Sequence, residues 1–191
     1  MNVSDFKVQY EQQAHSILSG GLDSLVSFLT HKSKDAKQFR DELTAIYGFV
    51  RTTNVPESCD IKIGGEAENF DAQIGGTILV VVRALPDNAH EIRRQVAHGS
   101  APESLYTSRA SYSSEKLALM LLNALQKKQG KHYSDTRTLL ISVDGEDTQE
   151  DDELVSNAIV IFRQTATIEP FTAVWMVESG RRIAFRLLPP G

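Results

Sequence analysis

The chain of 191 residues contains one cysteine, Cys59, so an internal disulfide is excluded and a reducing environment is the expectation. No apolar run approaches the roughly 20 residues that a transmembrane helix needs. Residues 1–20 lack the basic start and apolar centre of a secretory signal peptide. These absences predict a cytoplasmic protein that has no membrane partner.

Several common site motifs are also missing. The 5 histidines show no metal-ligand spacing with one another or with Cys59, which argues against a zinc site. No base can be named beside Cys59 to activate it as a nucleophile. The glycine pairs at 64–65 and 75–76 match no phosphate-binding loop. The formal net charge of −5 excludes a uniformly basic surface but is compatible with a local basic groove.

Helical periodicity dominates the first 48 residues. Ser4 is expected to cap a first helix that ends at Gly20, and Asp23 to cap a second. A third helix is predicted from Ser33 to a stop at Gly48. Its non-apolar side is typical of a solvated face, although it includes one candidate functional carboxylate, Glu42. The residues of that side are Lys34, Lys37, Arg40, Asp41 and Glu42.

Three consecutive strands are predicted between Cys59 and Leu85. Ile61 and Ile63 alternate with polar residues, and residues 69–74 alternate so that Asp71 lies on the polar face. The glycine pair that follows predicts a tight hairpin, and residues 77–85 form the nearly continuous apolar run of a strand covered on both sides.

The remaining chain predicts further elements around this sheet. Residues 86–112 are predicted to form a long loop, and a strong helix runs from Ser113 or Ser114 to Gly130. A buried strand at 138–143, a helix at 150–162 and a hairpin at 171–187 follow. The predicted fold is therefore α/β, a mixed central sheet with an αβββαβ core, N-terminal helices and a C-terminal helix plus β-hairpin. Residues 1–33 are predicted as a helical extension and 34–191 as the α/β domain.

This order, with an acid in the second strand and a short apolar third strand, resembles the PD-(D/E)XK nuclease superfamily, the restriction-endonuclease-like fold, over residues 34–143. The resemblance implies that a second-strand Asp and a third-strand Glu-x-Lys hold Mg²⁺ and orient water. Asp71 matches the first acid, and Glu42 stands where some members carry a helical carboxylate. The Glu-x-Lys is replaced by Val81-Val82-Arg83, which keeps only the cation. The implied catalytic residues are Asp71, Arg83 and Glu42, with the metal at Asp71.

The hairpin register decides whether Asp71 and Arg83 can act together. A two-residue turn at Gly75-Gly76 places Asp71 opposite Val80 and leaves Arg83 on the other face. A three-residue loop places Asp71 opposite Leu79 and on the face of Arg83. Turn chemistry favours the two-residue turn.

Other residues offer alternatives to this arrangement. A second metal ligand could come from Glu66, Glu68 or Glu91. Asp71 could instead be a plain strand residue paired with Lys62 or Arg83. Nucleic acid is expected to contact basic residues after the third strand and on the long helix, unless these form a scattered solvated surface. They are Arg93, Arg94, Lys127 and Lys128.

Three functions follow. The first is a divergent, catalytically silent nuclease-fold protein that binds nucleic acid, DNA or RNA, or a protein partner. The second is an active Mg²⁺-dependent phosphodiester hydrolase, a DNA or RNA nuclease. The third is a structural subunit of a larger assembly or a homo-oligomer, suggested by the exposable edge of the C-terminal hairpin.

Overall fold

A six-stranded mixed sheet with helices on both sides forms the protein in the computed structural model. The structure describes residues 1–21, 37–65, 68–85, 113–131, 133, 135–144, 148 and 151–190. The strands are β1 Ile61–Ile63, β2 Ala72–Ile74, β3 Thr77–Arg83, β4 Arg137–Val143, β5 Phe171–Glu178 and β6 Ile183–Leu188. The helices are α1 Val3–Ser19, α2 Thr44–Thr52, α3 Ser114–Gln129 and α4 Asp152–Thr165, and a π-helical turn, Phe39–Leu43, leads into α2. The predicted α/β class with a mixed sheet is confirmed.

The strands follow one another across the sheet in chain order. The pairs β1–β2, β2–β3 and β5–β6 are antiparallel, whereas β3–β4 and β4–β5 are parallel. Val80 and Val82 of β3 pack with α3 and α4, and Leu79 and Val81 pack with α1 and α2. Because helices cover both sides, β3 and β4 need apolar residues at successive positions, which explains their unbroken apolar runs.

The hairpin between β2 and β3 has a two-residue turn. Ile74 pairs with Thr77 across Gly75-Gly76, and Gly75 has a φ of 54°. The two-residue prediction is thus confirmed, and the three-residue alternative is wrong. β2 begins only at Ala72, so Asp71 lies just before the strand rather than within the predicted 69–74 run.

The first helix is capped two residues earlier than predicted. The Asn2 side chain accepts a hydrogen bond from the Asp5 backbone N–H at 2.8 Å, so Ser4 is inside α1 and is not its cap. The end of α1 before Gly20 is confirmed. The second predicted helix, the start of the third at Ser33 and the domain boundary at 33/34 lie outside the described residues.

Gly48 does not end the third predicted helix. α2 continues through it to Thr52, and a Cβ on Gly48 would lie 2.6 Å from the Val177 Cγ1 of β5. The glycine is therefore explained by the close approach of α2 to the sheet, since any side chain would push the helix away.

The later elements agree with the sequence. Ser113 caps α3 by accepting from the Lys116 N–H at 3.3 Å, and Asp151 caps α4. The predicted loop at 86–112 lies outside the described residues. Among the helices that the structure describes, none is both long and apolar enough to cross a membrane.

Each edge strand of the sheet has backbone groups that are hydrogen-bonded to another part of the chain. On β1, the Ile61 N–H donates to the Met1 carbonyl at 2.9 Å. On β6, the Arg163 guanidinium donates to the carbonyls of Arg186 and Leu187, both at 2.9 Å. Because these backbone groups are already bonded, they do not offer the free edge that the hairpin suggested for strand addition.

Candidate functional site

Asp71 lies directly before β2, beside the part of β3 that extends beyond its pairing with β2. Its Oδ2 accepts a hydrogen bond from the Val81 N–H at 2.6 Å, and its own N–H donates to the Leu79 carbonyl at 3.0 Å. Strand N–H groups point within the plane of the sheet, so the carboxylate takes the place of a missing β2 carbonyl. In this position it lies at the rim of the sheet, where groups from both sheet faces can approach it.

Gly64, directly after β1, brings a second acid to the same place. Its N–H donates to the Asp71 carbonyl at 3.0 Å, and its carbonyl accepts from the Gln38 side chain at 3.1 Å. Gln38 in turn hydrogen-bonds Glu42, one helical turn further along. A chain of contacts therefore links Glu42 and Asp71 through Gln38 and Gly64.

The charges of the two acids act on each other. Burial raises the pKa of Glu42, and the negative charge of Asp71 raises it further, as does that of Asp41. The Gln38 hydrogen bond and Lys37 oppose that pKa increase. Two half-buried carboxylates at one point are costly unless a cation or a proton neutralises them.

Lys128, from the last turn of α3, lies on the other side of Asp71. Burial lowers the pKa of Lys128, while attraction to Asp71 and Glu42 favours its charged form. The charge of Asp71 also acts on Tyr133. Burial raises the pKa of the Tyr133 phenol, and Asp71 raises it further, while Arg137 opposes the increase. The candidate site thus comprises Glu42, Asp71 and Lys128 from three separate elements.

Arg83 belongs to a different cluster. Its Nη1 lies 2.8 Å from Asp41 Oδ1, and its Nη2 lies 2.5 Å from Asp144 Oδ2 at the end of β4. The Ser179 hydroxyl donates to the other Asp144 oxygen at 3.5 Å. Arg83 is therefore held between two carboxylates and does not pair with Asp71, as the two-residue turn requires.

A single π-helical turn supplies acids to both clusters. Asp41 contacts Arg83, and its neighbour Glu42 is directed to Asp71. The expected solvated face is wrong at Arg40, Asp41 and Glu42, whose side chains are half-buried, whereas Lys37 is exposed. Lys34 lies outside the described residues. π-helical turns recur at functional sites because the extra residue re-aims neighbouring side chains.

The other predicted residues are distributed as follows. Glu68 pairs with Lys62 at 2.5 Å and accepts from the Gly65 N–H, so neither Glu68 nor Lys62 is available to Asp71 in this arrangement. Lys127 is exposed and lies close enough to Lys128 to lower the pKa of that ammonium group. Four predicted residues lie outside the described part: Glu66, Glu91, Arg93 and Arg94.

The carboxylates of Glu42 and Asp71 are the kind of ligand that Mg²⁺ takes in proteins. Mg²⁺ is bound in proteins through one or two carboxylates and keeps several waters, so Glu42 and Asp71 fit it chemically. In the described ranges, no three His, Cys, Asp or Glu side chains are grouped to hold a metal. A protein-only cage of the zinc or calcium kind is therefore not formed by these residues, and the metal at Asp71 stays a prediction.

Sequence reasoning missed Gln38, Asp41 and Asp144. The position of Asp144 directly after a buried strand was a usable signal, because strand ends gather at one edge of a parallel sheet. Gln38 precedes Glu42 by one helical turn, which was also readable. Nothing local distinguishes Asp41 from an ordinary solvated acid.

The chain was compared with protein-family models, with curated proteins and with solved structures. None of the three comparisons finds a match. The resemblance to the PD-(D/E)XK superfamily accordingly stays a prediction, and function has to be argued from the geometry of the site.

Proposed function

We propose that the protein is a divergent PD-(D/E)XK-type, metal-dependent phosphodiester hydrolase acting on nucleic acid, with its centre at Glu42, Asp71 and Lys128. The observation that carries the proposal is the chain of contacts from Glu42 through Gln38 and Gly64 to Asp71. Burial raises the pKa of Glu42, and the charge of Asp71 raises it further. Glu42 supplies the second carboxylate that Val81 fails to provide on the third strand. The missing third-strand acid motivated the silent alternative, and Glu42 offers a replacement for that acid.

The combination of charges favours a cation over direct phosphate binding. Two carboxylates repel a phosphodiester, and at an effective dielectric of about 20 one pair of unit charges at ~4 Å repels by about 4 kcal/mol. A divalent ion held by both would remove that repulsion. When bound, such an ion polarises the phosphate and lowers the pKa of a bound water.

The chain's own groups have separate tasks in this proposal. Glu42 and Asp71 would hold the ion, and the Val81 N–H fixes one Asp71 oxygen, which would leave the other to bind it. Lys128 offers a cation to the phosphate oxygens from the α3 side. Lys127, exposed next to it, extends the positive surface along the strand of nucleic acid.

The test is cleavage of single-stranded DNA, duplex DNA and RNA with Mg²⁺ or Mn²⁺. Cleavage should disappear in Asp71→Asn and Glu42→Gln, which remove charge but keep hydrogen-bonding shape. Asp60→Asn is the matched control, because Asp60 is an exposed acid beside β1. No cleavage by the unmodified protein with either metal, or cleavage that survives Asp71→Asn, would refute the proposal.

A silent nucleic-acid-binding protein is the second candidate. It is favoured by the state of Arg83, since a guanidinium already held by Asp41 and Asp144 is not free for phosphate. This candidate predicts salt-sensitive binding without cleavage, weakened by Lys127→Met together with Lys128→Met. Binding that persists unchanged in that double variant would count against it.

A further inference from the structure

Arg137 is a fully buried arginine at the start of β4. Its side chain is 1% exposed, and it lies within apolar surroundings on the α3 side of the sheet. Nη1 donates to the Asn69 carbonyl, Nη2 lies 3.4 Å from Asp135 Oδ2, and the guanidinium carbon lies 4.5 Å from the Tyr133 ring centroid. Burying a guanidinium costs free energy, and these contacts have to offset that cost.

The Asn69 carbonyl is the important partner, because Asn69 precedes Asp71 by two residues. Asn69 lies before β2, and the backbone hydrogen bonds to Leu79 and Gly64 hold this segment at Asp71 rather than at Asn69. Arg137 reaches this segment from β4, across the intervening strand β3, with a sequence separation of 68 residues.

Gly64 holds the same segment from the opposite side. A Cβ at Gly64 would overlap the Phe70 carbonyl oxygen, so residues 70–71 can lie against the end of β1 only because this position has no side chain. The segment is thus confined between β1 on one side and the Arg137 guanidinium on the other.

We infer that Arg137 is a positioning residue that sets where the Asp71 carboxylate lies, through its bond to the Asn69 carbonyl and its stacking on Tyr133. The role of the carboxylate once placed rests on the proposed function. Its placement does not, because the Val81 N–H reports the Asp71 position directly.

Lysine is a poor substitute in this role. It lacks the planar fork that bonds two oxygens while stacking on an aromatic ring, and its ammonium is more strongly hydrated. Methionine fills a similar volume without charge, and exchange of buried ionic groups for apolar ones is often tolerated by a fold. Arg137→Met therefore separates folding from placement.

The experiment measures amide hydrogen exchange of Val81 in the full chain by NMR, for the unmodified protein, Arg137→Met and Arg137→Lys. Exchange at Val81 should accelerate about tenfold in Arg137→Met, because a displaced Asp71 no longer accepts its bond. The buried amides of Leu140 and Val177 should be unchanged. Arg137→Lys should show the same defect, weaker or equal.

Arg163→Met is the matched control. Arg163 also donates to backbone carbonyls, those of Arg186 and Leu187, but at the far edge of the sheet. It should leave Val81 exchange unaltered.

Unchanged Val81 exchange in the folded Arg137 variants, or equal acceleration at Leu140, would overturn the inference. If Arg137→Met does not fold, the exchange rate in Arg137→Lys decides, and failure of both to fold would assign Arg137 to stability and also reject positioning.

A second measurement separates this inference from the proposed function. Mn²⁺ binding followed by calorimetry should weaken about tenfold in Arg137→Met, as is usual when a residue that supports a metal ligand is lost. If the unmodified protein binds no Mn²⁺, the proposed function fails, while the Val81 exchange still decides on Arg137.

Discussion

The Asp71 carboxylate accepts a 2.6 Å hydrogen bond from the backbone N–H of Val81. The acid that directly precedes β2 is thus bonded to the β3 position where the resemblance called for a glutamate. The bond has a structural value, since Val81 is buried and its N–H has no β2 carbonyl to meet. Asp71 is therefore able to serve the fold and a site at the same time, with one oxygen for each.

This dual role predicts different effects for two substitutions at Asp71. Asp71→Ala leaves the buried Val81 N–H without an acceptor and should lower the free energy of unfolding by about 1–3 kcal/mol. Asp71→Asn keeps an acceptor oxygen and relieves repulsion with Glu42, so it should cost less than about 0.5 kcal/mol. Urea denaturation measures both, with Asp60→Ala as the exposed control. Equal losses in the two Asp71 variants would show that the bond to Val81 has no structural weight.

Removing Arg83 should be more damaging than removing a surface cation. Arg83→Met leaves Asp41 and Asp144 facing each other across the vacated position. We expect a loss of about 2 kcal/mol, below the ~3–5 kcal/mol of a fully buried pair because Asp144 is 38% exposed. Adding Asp41→Asn should recover part of the loss in a double-mutant cycle.

The control for Arg83 is Lys7, which lies 3.6 Å from the exposed Glu57. Lys7→Met should change stability by no more than about 0.5 kcal/mol. A similar small effect from Arg83→Met would mean that the Asp41–Arg83–Asp144 cluster contributes little to stability.

Local signals were enough for much of the fold. β1 contains the alternating Ile61 and Ile63, because alternation is a property of neighbouring residues. α3 starts at Ser114 because Ser113 is a cap that can be read from sequence. What failed depended on distant partners. Gly48 looked like a helix stop, but its reason is Val177, more than a hundred residues away.

The site was predictable in its residues more than in its pairings. Asp71, Glu42 and Lys128 were all named as candidates from the sequence. The link between Glu42 and Asp71, however, depends on the contact of Gln38 with Gly64, which are 26 residues apart. Arg83 was expected beside Asp71 in one register, and the 42-residue contact with Asp41 was invisible. Nothing in the sequence indicated that Arg137 is buried, since a single arginine before an apolar run usually lies at the solvent-exposed end of a strand.

Glu42 should make stability fall as pH rises. Its folded pKa is raised above the ordinary value of 4.5, so between these two values the folded state binds more protons than the unfolded chain. Stability should therefore decrease with pH through that window and level off above the folded pKa. Glu42→Gln removes this dependence. The free energy of unfolding of the variant should therefore increase relative to that of the unmodified protein as pH increases from about 4.5.

Glu68→Gln gives a control of opposite sign. Lys62 lowers the pKa of Glu68, so the contribution of Glu68 is present above its unfolded pKa and is lost as pH falls. Urea denaturation midpoints should be measured between pH 3 and 8. The difference from the unmodified protein should change above about pH 4.5 for Glu42→Gln and mainly below it for Glu68→Gln. Parallel curves for Glu42→Gln and the unmodified protein would contradict a raised pKa of Glu42 in the folded protein.

Gly48→Ala tests the close approach of α2 to the sheet. In an exposed helix this change stabilises by about 0.5–1 kcal/mol, because alanine has the higher helix propensity. Here the new methyl group would lie 2.6 Å from the Val177 Cγ1, inside van der Waals contact, with the Arg182 backbone 3.3 Å away. Overpacking of this kind costs about 1–3 kcal/mol, so the sign should reverse and the protein should be less stable. Thermal unfolding measures the loss, and Val177→Ala in the same chain should rescue it, since removal of the two methyl groups makes room for the added one. If Gly48→Ala is stabilising, or if Val177→Ala makes it worse by the full amount of its own cost, then α2 can shift away from β5 and the glycine is not required there.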